Sequence, residues 1–330
     1  MQRFTELRRL REQPEEEEAE ESSSEDDAPT FSYASLLETY GEEQVRDITG
    51  FTNQEFQEIV SLIAPMMIVR GRGRRGMDVE DSLALFLAWA TSGMTYKEIA
   101  RHFMIPIASV KTTISKFIER GKDPLVKTFI PQTLEDAATD AVFHHFPDAI
   151  GAVDATVIPI CRPCCPDDQK KIYCGKHKIH CVKFQCLVNA EGQAIHISQV
   201  VEGKIHDKKL FDSSSLQRFV TEQMNVGGQN MVVRKPILCD RGYTGIQVVY
   251  PEAIIMKKKP PGAELTDDEN RFNHHLSSDR MIVENYFGRL KVLFGVIKET
   301  FRCEIRLLDS LIPMLVALTN YYLQKHPLRR

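Results

Sequence analysis

The sequence has no long uninterrupted hydrophobic run, and this absence argues against a membrane-spanning protein. Its most apolar late segment, residues 307–323, is interrupted by Asp309, Pro313 and Asn320, which suits an amphipathic core helix better than a membrane span. Residues 1–11 are charged and lack the apolar centre of a secretory signal. The eight cysteines of a chain without such a signal are expected to be thiols rather than a disulfide framework.

The chain also lacks a strong net charge, but its charges are unevenly distributed. The formal net charge is −4 over 330 residues. Residues 1–27 contain four Arg and eleven Asp or Glu, a local net charge of −7, and the rest of the chain has 38 basic and 35 acidic residues. We therefore predict a disordered acidic tail over residues 1–30, which either solvates the chain or binds a partner. The mildly basic remainder permits nucleic-acid binding without proving it.

Apolar residues at helical spacing dominate residues 31–140, which we predict to be an all-α region. Two short helical patterns, residues 95–103 and 109–120, are separated by a break that contains Pro106. This spacing is typical of a DNA-binding helix-turn-helix. The second pattern carries polar candidates for DNA contact, namely Lys111, Thr112 and Lys116. A plain helical bundle with a solvated polar face is the alternative.

The periodicity changes from helix to strand near residue 141, and we expect residues 141–330 to form a mixed α/β domain. The turn at residues 189–192 predicts a hairpin between the second and third strands. A helix is predicted over residues 207–224. The predicted strands are residues 149–160, 181–188, 194–201, 236–239 and 253–256, and the predicted closing helices are residues 267–298 and 307–325.

Three acidic residues occupy places where a carboxylate is costly. Asp154 and Asp240 are predicted to end buried strands, and Glu284 lies within the predicted helix over residues 267–298. A carboxylate at the end of an apolar strand needs water, a hydrogen bond or a metal ion. Two strand ends and a helical Glu could together supply the oxygen ligands that Mg²⁺ prefers. Each residue taken alone is equally compatible with a helix cap or an ion pair.

Basic residues accompany Glu284 and suggest phosphate contacts. The candidates on the same predicted helix are Arg280, Arg289 and Lys291. This helix face could present a carboxylate between cations, and the cations could hold phosphate groups. Two further basic stretches, residues 70–76 and 257–262, suit contact with a DNA backbone, and solvated loops or a nuclear-import signal explain them equally well.

Cysteine and histidine spacing raises two other metal hypotheses. A zinc-like pairing is formed by Cys161 and Cys164 with Cys174 and His177, and the spare ligands are Cys165, His180 and Cys181. Ordinary thiols in a loop and a strand are the favoured interpretation of these residues. A metal phosphohydrolase site built on His206 and Asp207 would need further His ligands at helical spacing, and the sequence does not supply them.

Four segments together resemble the PIF/Harbinger transposases and the nucleases domesticated from them. These segments are Gly151-Ala-Val-Asp154, Gly203-Lys-Ile-His206-Asp207, Cys239-Asp240-Arg-Gly-Tyr243 and Arg280-Met-Ile-Val-Glu284-Asn-Tyr-Phe-Gly288-Arg-Leu-Lys291. The similarity covers about residues 145–325, and residues 50–130 resemble the family's helix-turn-helix region. The combination of the four segments is specific to this family, whereas each segment alone is weak evidence for it. One departure is Ala155, where the family often has Gly.

The resemblance implies an RNase H-like fold that cleaves, and in transposases also joins, DNA strands. It identifies Asp154, Asp240 and Glu284 as catalytic ligands of Mg²⁺ or Mn²⁺ and Asp207 as a further metal ligand. From its position at the start of a predicted helix, Asp207 could equally be an N-cap. The resemblance further implies DNA and a separate Myb-like protein as partners and a nuclear location, and a homo-oligomer is also expected. The alternative is a domesticated DNA-binding protein that does not cleave, and the intact acidic trio favours the enzyme.

Overall fold

The computed structural model has a helical N-terminal region followed by a mixed α/β region. It describes residues 31–67, 77–226, 229–259, 261–262 and 264–328. The predicted acidic tail and the basic residues 70–76 lie outside these ranges. The predicted order, a helical region before a mixed α/β region, is confirmed for the part of the chain that is described.

Short polar side chains explain where several N-terminal helices begin. The helices of this region are α1 (Tyr33–Thr49), α2 (Asn53–Met67), α3 (Val79–Ser92), α4 (Tyr96–His102) and α5 (Ile107–Phe129). The side chains of Ser32, Asp78 and Thr95 accept backbone N–H groups in the first turns of α1, α3 and α4. Every residue from 83 to 90 of α3 is buried, so α3 is the central helix of the region.

The two helices expected around a short turn are present as α4 and α5. Helix α5 is longer than predicted, because it begins at Ile107 and continues through Pro124 to Phe129. In the connection, Met104 adopts a positive φ of 51°, which is uncommon for a residue other than glycine. The three candidates for DNA contact stand at exposed positions in the first half of α5: Lys111, Thr112 and Lys116.

The α/β region is built on one mixed sheet. Its strands, with those of a separate hairpin, are β1 (Gly151–Pro159), β2 (Tyr173–Cys174), β3 (Ile179–Val188), β4 (Ala194–Ile197), β5 (Val201–Glu202), β6 (Thr221–Val226), β7 (Gln229–Arg234), β8 (Ile237–Cys239) and β9 (Ala253–Ile255). The main path is β2-β3-β1-β8-β9, with β4 and β5 also paired to β3, while β6 and β7 pair with each other. Strand β1 is antiparallel to β3 and parallel to β8. The predicted hairpin is confirmed as the β3–β4 pair.

The prediction of a single helix over residues 207–224 is wrong. The chain forms α7 (Asp207–Ser213) and α8 (Leu216–Phe219), and then enters β6. Consecutive serines explain the break, because the hydroxyls of Ser213 and Ser214 donate to the carbonyls of Leu210 and Phe211 and compete with the helical backbone bonds. The other helices of this region are α6 (Pro166–Ile172), α9 (Asp267–Leu293), α10 (Gly295–Lys298) and α11 (Leu308–Lys325).

The helical region and one face of the sheet share a hydrophobic core, and a second cluster lies on the other face of the sheet. The C-terminal helix α11 packs along α5, and buried residues from Phe31 to Leu323 form a continuous cluster. Within the described residues, we find no helix with the length and apolar character needed to cross a membrane.

One buried side chain, that of Asn320 in α11, joins the parts of this core by hydrogen bonds. Its oxygen accepts the backbone N–H of Ala194 at 2.9 Å and the Tyr286 hydroxyl at 3.2 Å. Its amide nitrogen donates to the carbonyl oxygens of Phe129 at 2.9 Å and Ala194 at 2.8 Å. Asn320 therefore connects α11 to the end of α5, to β4 and to α9.

We expect Asn320→Ala to lower the free energy of unfolding by about 3 kcal/mol, because buried backbone groups lose their partners and a small cavity remains. Urea unfolding measures this change. The control is Gln324→Ala, at an exposed position of the same helix, which should change stability by less than about 0.5 kcal/mol. A loss of less than about 1 kcal/mol for Asn320→Ala would contradict this role.

Candidate active site

Strand pairing places Asp154 and Asp240 side by side. The parallel β1–β8 pair ends with Val153 opposite Cys239, so the next residue of each strand is an aspartate. The prediction that Asp154 ends its strand is wrong, because β1 continues to Pro159. It is β8 that ends here, at Cys239, and this leaves space beside β1 from Asp154 onwards. Both carboxylates lie at the edge where an α/β sheet commonly binds ligands.

Asp207 and Asp240 meet around Gly242. The Asp240 carboxylate accepts the backbone N–H of Gly242 at 2.7 Å and caps a short 3₁₀ turn, Arg241–Tyr243. A Cβ atom placed on Gly242 would lie 2.6 Å from an oxygen of Asp207 and 2.9 Å from an oxygen of Asp240. The absence of a side chain at Gly242 therefore lets the two carboxylates converge.

Two buried cations balance part of this negative charge. The Arg280 guanidinium lies 3.4 Å from the Asp154 carboxylate, and the Lys183 ammonium lies 3.1 Å from the Asp207 carboxylate. Arg280 is 3% exposed and Lys183 is 8% exposed. The Nε atom of Arg280 has no hydrogen-bond partner among the described residues. Asp207 is the first residue of α7, after the N-cap position of His206, so the N-cap interpretation of Asp207 is wrong.

The Asp154 carboxyl group shows how strongly the local charges act on one another. Its pKa is raised to about 6, chiefly by burial; Arg280 opposes this rise, and the negative charges of Asp240 and Asp207 contribute to it. The Asp154 carboxylate also accepts the backbone N–H of Ala155 at 2.8 Å. A positive ion placed among these three aspartates would relieve both the burial cost and the repulsion.

Glu284 does not contact the three aspartates. It is exposed on α9, one turn after Arg280, and no hydrogen bond or ion pair in the described ranges joins it to them. No group of three or more His, Cys, Asp or Glu side chains in the described part of the chain is arranged to hold a metal ion. Asp154, Asp207 and Asp240 thus share one electrostatic neighbourhood, while Glu284 stands at the adjacent helix turn.

The zinc hypothesis gains no support from the described residues. Cys161, Cys164 and Cys165 are exposed, whereas Cys174 and Cys181 are buried. Burial raises the pKa of Cys181 to about 12, which disfavours the thiolate that zinc binding needs.

The predicted phosphate-binding cations of α9 have different environments. Arg280 is buried against Asp154, and the Arg289 guanidinium lies over the Tyr322 ring at 5.5 Å. Lys291 is partly buried, and burial lowers its pKa.

Two residues of the site, Lys183 and Gly242, were not predicted from the sequence. The signal for Lys183 was a lone lysine in the otherwise mostly apolar strand Ile179–Val188.

Comparisons with known proteins show what the chain is similar to. Residues 153–320 match a family model described as DDE superfamily endonuclease, a range that contains all four predicted acidic ligands and slightly more than half of the chain. One similar protein is the probable transposase for insertion sequence element IS702 of Microchaete diplosiphon. It is 24% identical over 288 residues, which cover 84% of this chain and 93% of the relative. No solved structure matches the chain.

Proposed function

The chain belongs to the DDE superfamily endonucleases, and from this membership we propose a metal-dependent DNA nuclease or transposase of PIF/Harbinger type. The observation that carries the proposal is the placement of Asp154 and Asp240 after paired strand residues where β8 ends beside β1, with Asp207 next to Asp240 across Gly242. The relative from Microchaete diplosiphon supports the transposase class, and the segments around Asp240 and Glu284 support the PIF/Harbinger type.

The donor set fits a hard divalent cation such as Mg²⁺ or Mn²⁺, which prefers carboxylate oxygens. We assign Asp154, Asp240 and Glu284 as catalytic metal ligands and Asp207 as a further ligand. The glycine at position 242 supports this fit, because any side chain would fill the space between two of the carboxylates. When bound, two such ions supply an activated water or 3′-hydroxyl and stabilise the leaving oxygen.

The protein's own groups position the carboxylates and provide positive charge. Arg280 holds Asp154 and Lys183 holds Asp207, while the N–H of Gly242 orients Asp240. No side-chain nucleophile is needed. The central β1, antiparallel to β3 and parallel to β8, supports an RNase H-like fold for residues 141–330.

We assign DNA contact to two surfaces. One is the helix pair α4–α5 within residues 31–140, where exposed Lys111, Thr112 and Lys116 suit a helix-turn-helix. The other is the basic part of α9 with Arg289 and Lys291, whereas Arg280 is buried against Asp154. The remaining parts of the proposal are an acidic tail over residues 1–30, a Myb-like partner, a homo-oligomer and a nuclear location.

A DNA-binding protein without cleavage activity is the second candidate. The observation that favours it is that Asp154 and Asp207 are neutralised by protein cations while Glu284 stands apart. These ion pairs could hold the site in a state that does not need a metal.

A cleavage assay separates the two candidates. The purified full chain is incubated with supercoiled plasmid that carries candidate terminal repeats, with Mg²⁺, with Mn²⁺ or with EDTA. The proposed enzyme nicks the plasmid only when a metal is present. Binding of the same DNA without nicking in either metal would favour the second candidate, and nicking in EDTA would exclude the metal-dependent mechanism.

A further inference from the structure

Lys183 occupies an unusual place for a lysine. It lies within β3, opposite Val157 of β1 and Val201 of β5, so strands flank it on both sides. Its side chain is only 10% exposed, and its ammonium group pairs with Asp207 at 3.1 Å. A buried ion pair is a weak source of stability compared with apolar packing, so stability alone does not explain a charge here.

Other cations belong to the turn that precedes β3 and to α9, which packs against β3. The turn between β2 and β3 carries Lys176, His177 and Lys178, all exposed. The backbone N–H of Lys178 donates to the Cys174 carbonyl at 2.7 Å, which fixes this turn. Burial lowers the pKa of His177, and so do the charges of Lys176, Lys183 and Lys291, while Asp207 opposes them. The turn, Lys183, Lys291 and Asp207 therefore lie within one electrostatic neighbourhood.

We propose that Lys183 is a DNA-binding residue that exchanges partners, from the Asp207 carboxylate to a phosphodiester oxygen of the DNA. The anion site is formed by Lys183, His177 and Lys291, next to the aspartates. This inference rests on the proposed function for the identity of the substrate.

The physical reason is the cost of an unpaired buried ammonium group. When a cation neutralises Asp207, Lys183 loses its partner and needs another anion. A phosphodiester beside His177 and Lys291 supplies that anion, and the surrounding lysines attract it. Lys183 thus makes DNA binding tighter when the Asp207 charge has been neutralised.

A double-mutant cycle in EDTA tests this exchange without using cleavage. Asp207→Asn removes the charge and mimics its neutralisation. We expect Asp207→Asn to bind a fluorescent duplex about tenfold more tightly than the wild type, because one more phosphate contact is formed. In a Lys183→Gln background, the same substitution should improve binding by less than about twofold. The salt dependence gives a second readout: the slope of log K against log salt should steepen by about 0.9 only when Lys183 is present.

Lys204→Gln is the matched control, because Lys204 forms an exposed ion pair with Glu202 on the neighbouring strand β5. Asp207→Asn should keep its full gain in that background. Lys183→Gln leaves Asp207 unpaired and can lower stability, so each variant is first checked by thermal unfolding. The Lys183→Gln/Asp207→Asn protein has no unpaired charge at this pair and serves as the folded reference.

Equal gains from Asp207→Asn with and without Lys183 would overturn the inference, because loss of a repulsive charge alone would then explain them. This result is distinguishable from failure of the proposed function. A protein that never nicks DNA but shows the Lys183-dependent gain would retain the phosphate site. A protein that nicks DNA but shows no such dependence would retain only the proposed function.

Discussion

Replacing Asp240 with Asn is expected to reduce metal-dependent nicking by about 10³-fold, the scale of losing a principal charge-stabilising group. The amide oxygen of Asn can still accept the Gly242 N–H, which Asp240 accepts at 2.7 Å, so the 3₁₀ turn should keep its cap. The substitution removes a negative charge that divalent cations prefer. Loss of that charge also removes one of the causes that raise the pKa of Asp154. The expected protein therefore folds and binds DNA but does not cleave it.

The rate of nicking and the dissociation constant for the same DNA must be measured together. Asp212→Asn is the matched control, because Asp212 pairs with Lys208 on the exposed side of α7 and lies outside the acidic cluster. Its nicking rate should stay within about twofold of the wild type. Unchanged nicking by Asp240→Asn would refute the catalytic assignment. Joint loss of binding and nicking would show that the substitution disturbs more than the metal site.

Local sequence patterns predicted correctly where some of the site residues lie. Asp240 follows a short apolar strand, and Glu284 lies in a long helix, and both placements are observed. The side-by-side position of Asp154 and Asp240 was harder to predict, because it depends on which strand pairs with β1 and in which register. That pairing joins segments more than 80 residues apart in the sequence, and short-range patterns carry no information about it.

The wrong predictions and the missed residues also depend on contacts that apolar periodicity does not show. Ser213 and Ser214 interrupt the predicted helix through side-chain bonds to the backbone, whereas apolar periodicity continues across them. Arg280 was expected to face phosphate, but the packing of α9 on β1 buries it against Asp154. Lys183 was overlooked because its role depends on Asp207, a residue from another element.

The substitution Gly242→Ala is expected to lower nicking by about 10²-fold, the cost of displacing catalytic groups by about 1 Å. The added methyl group would lie 2.6 Å from an oxygen of Asp207 and 2.9 Å from an oxygen of Asp240. Both contacts are with the ends of side chains, so the carboxylates can move apart without a change of the backbone. The free energy of unfolding should therefore fall by less than about 2 kcal/mol, while the concentration of Mn²⁺ needed for half-maximal nicking rises.

Gly245→Ala separates this effect from simple strain, because the two glycines lie close together in the chain but differ in their surroundings. Gly245 has a φ of +87°, which favours glycine, and a Cβ there would meet nothing within 4 Å. Gly245→Ala should lose about 1 kcal/mol of stability through strain and keep its nicking rate. If both variants lost nicking in proportion to stability, the space at Gly242 would matter only for folding. If Gly242→Ala alone loses nicking, the distance between the Asp207 and Asp240 carboxylates sets the activity.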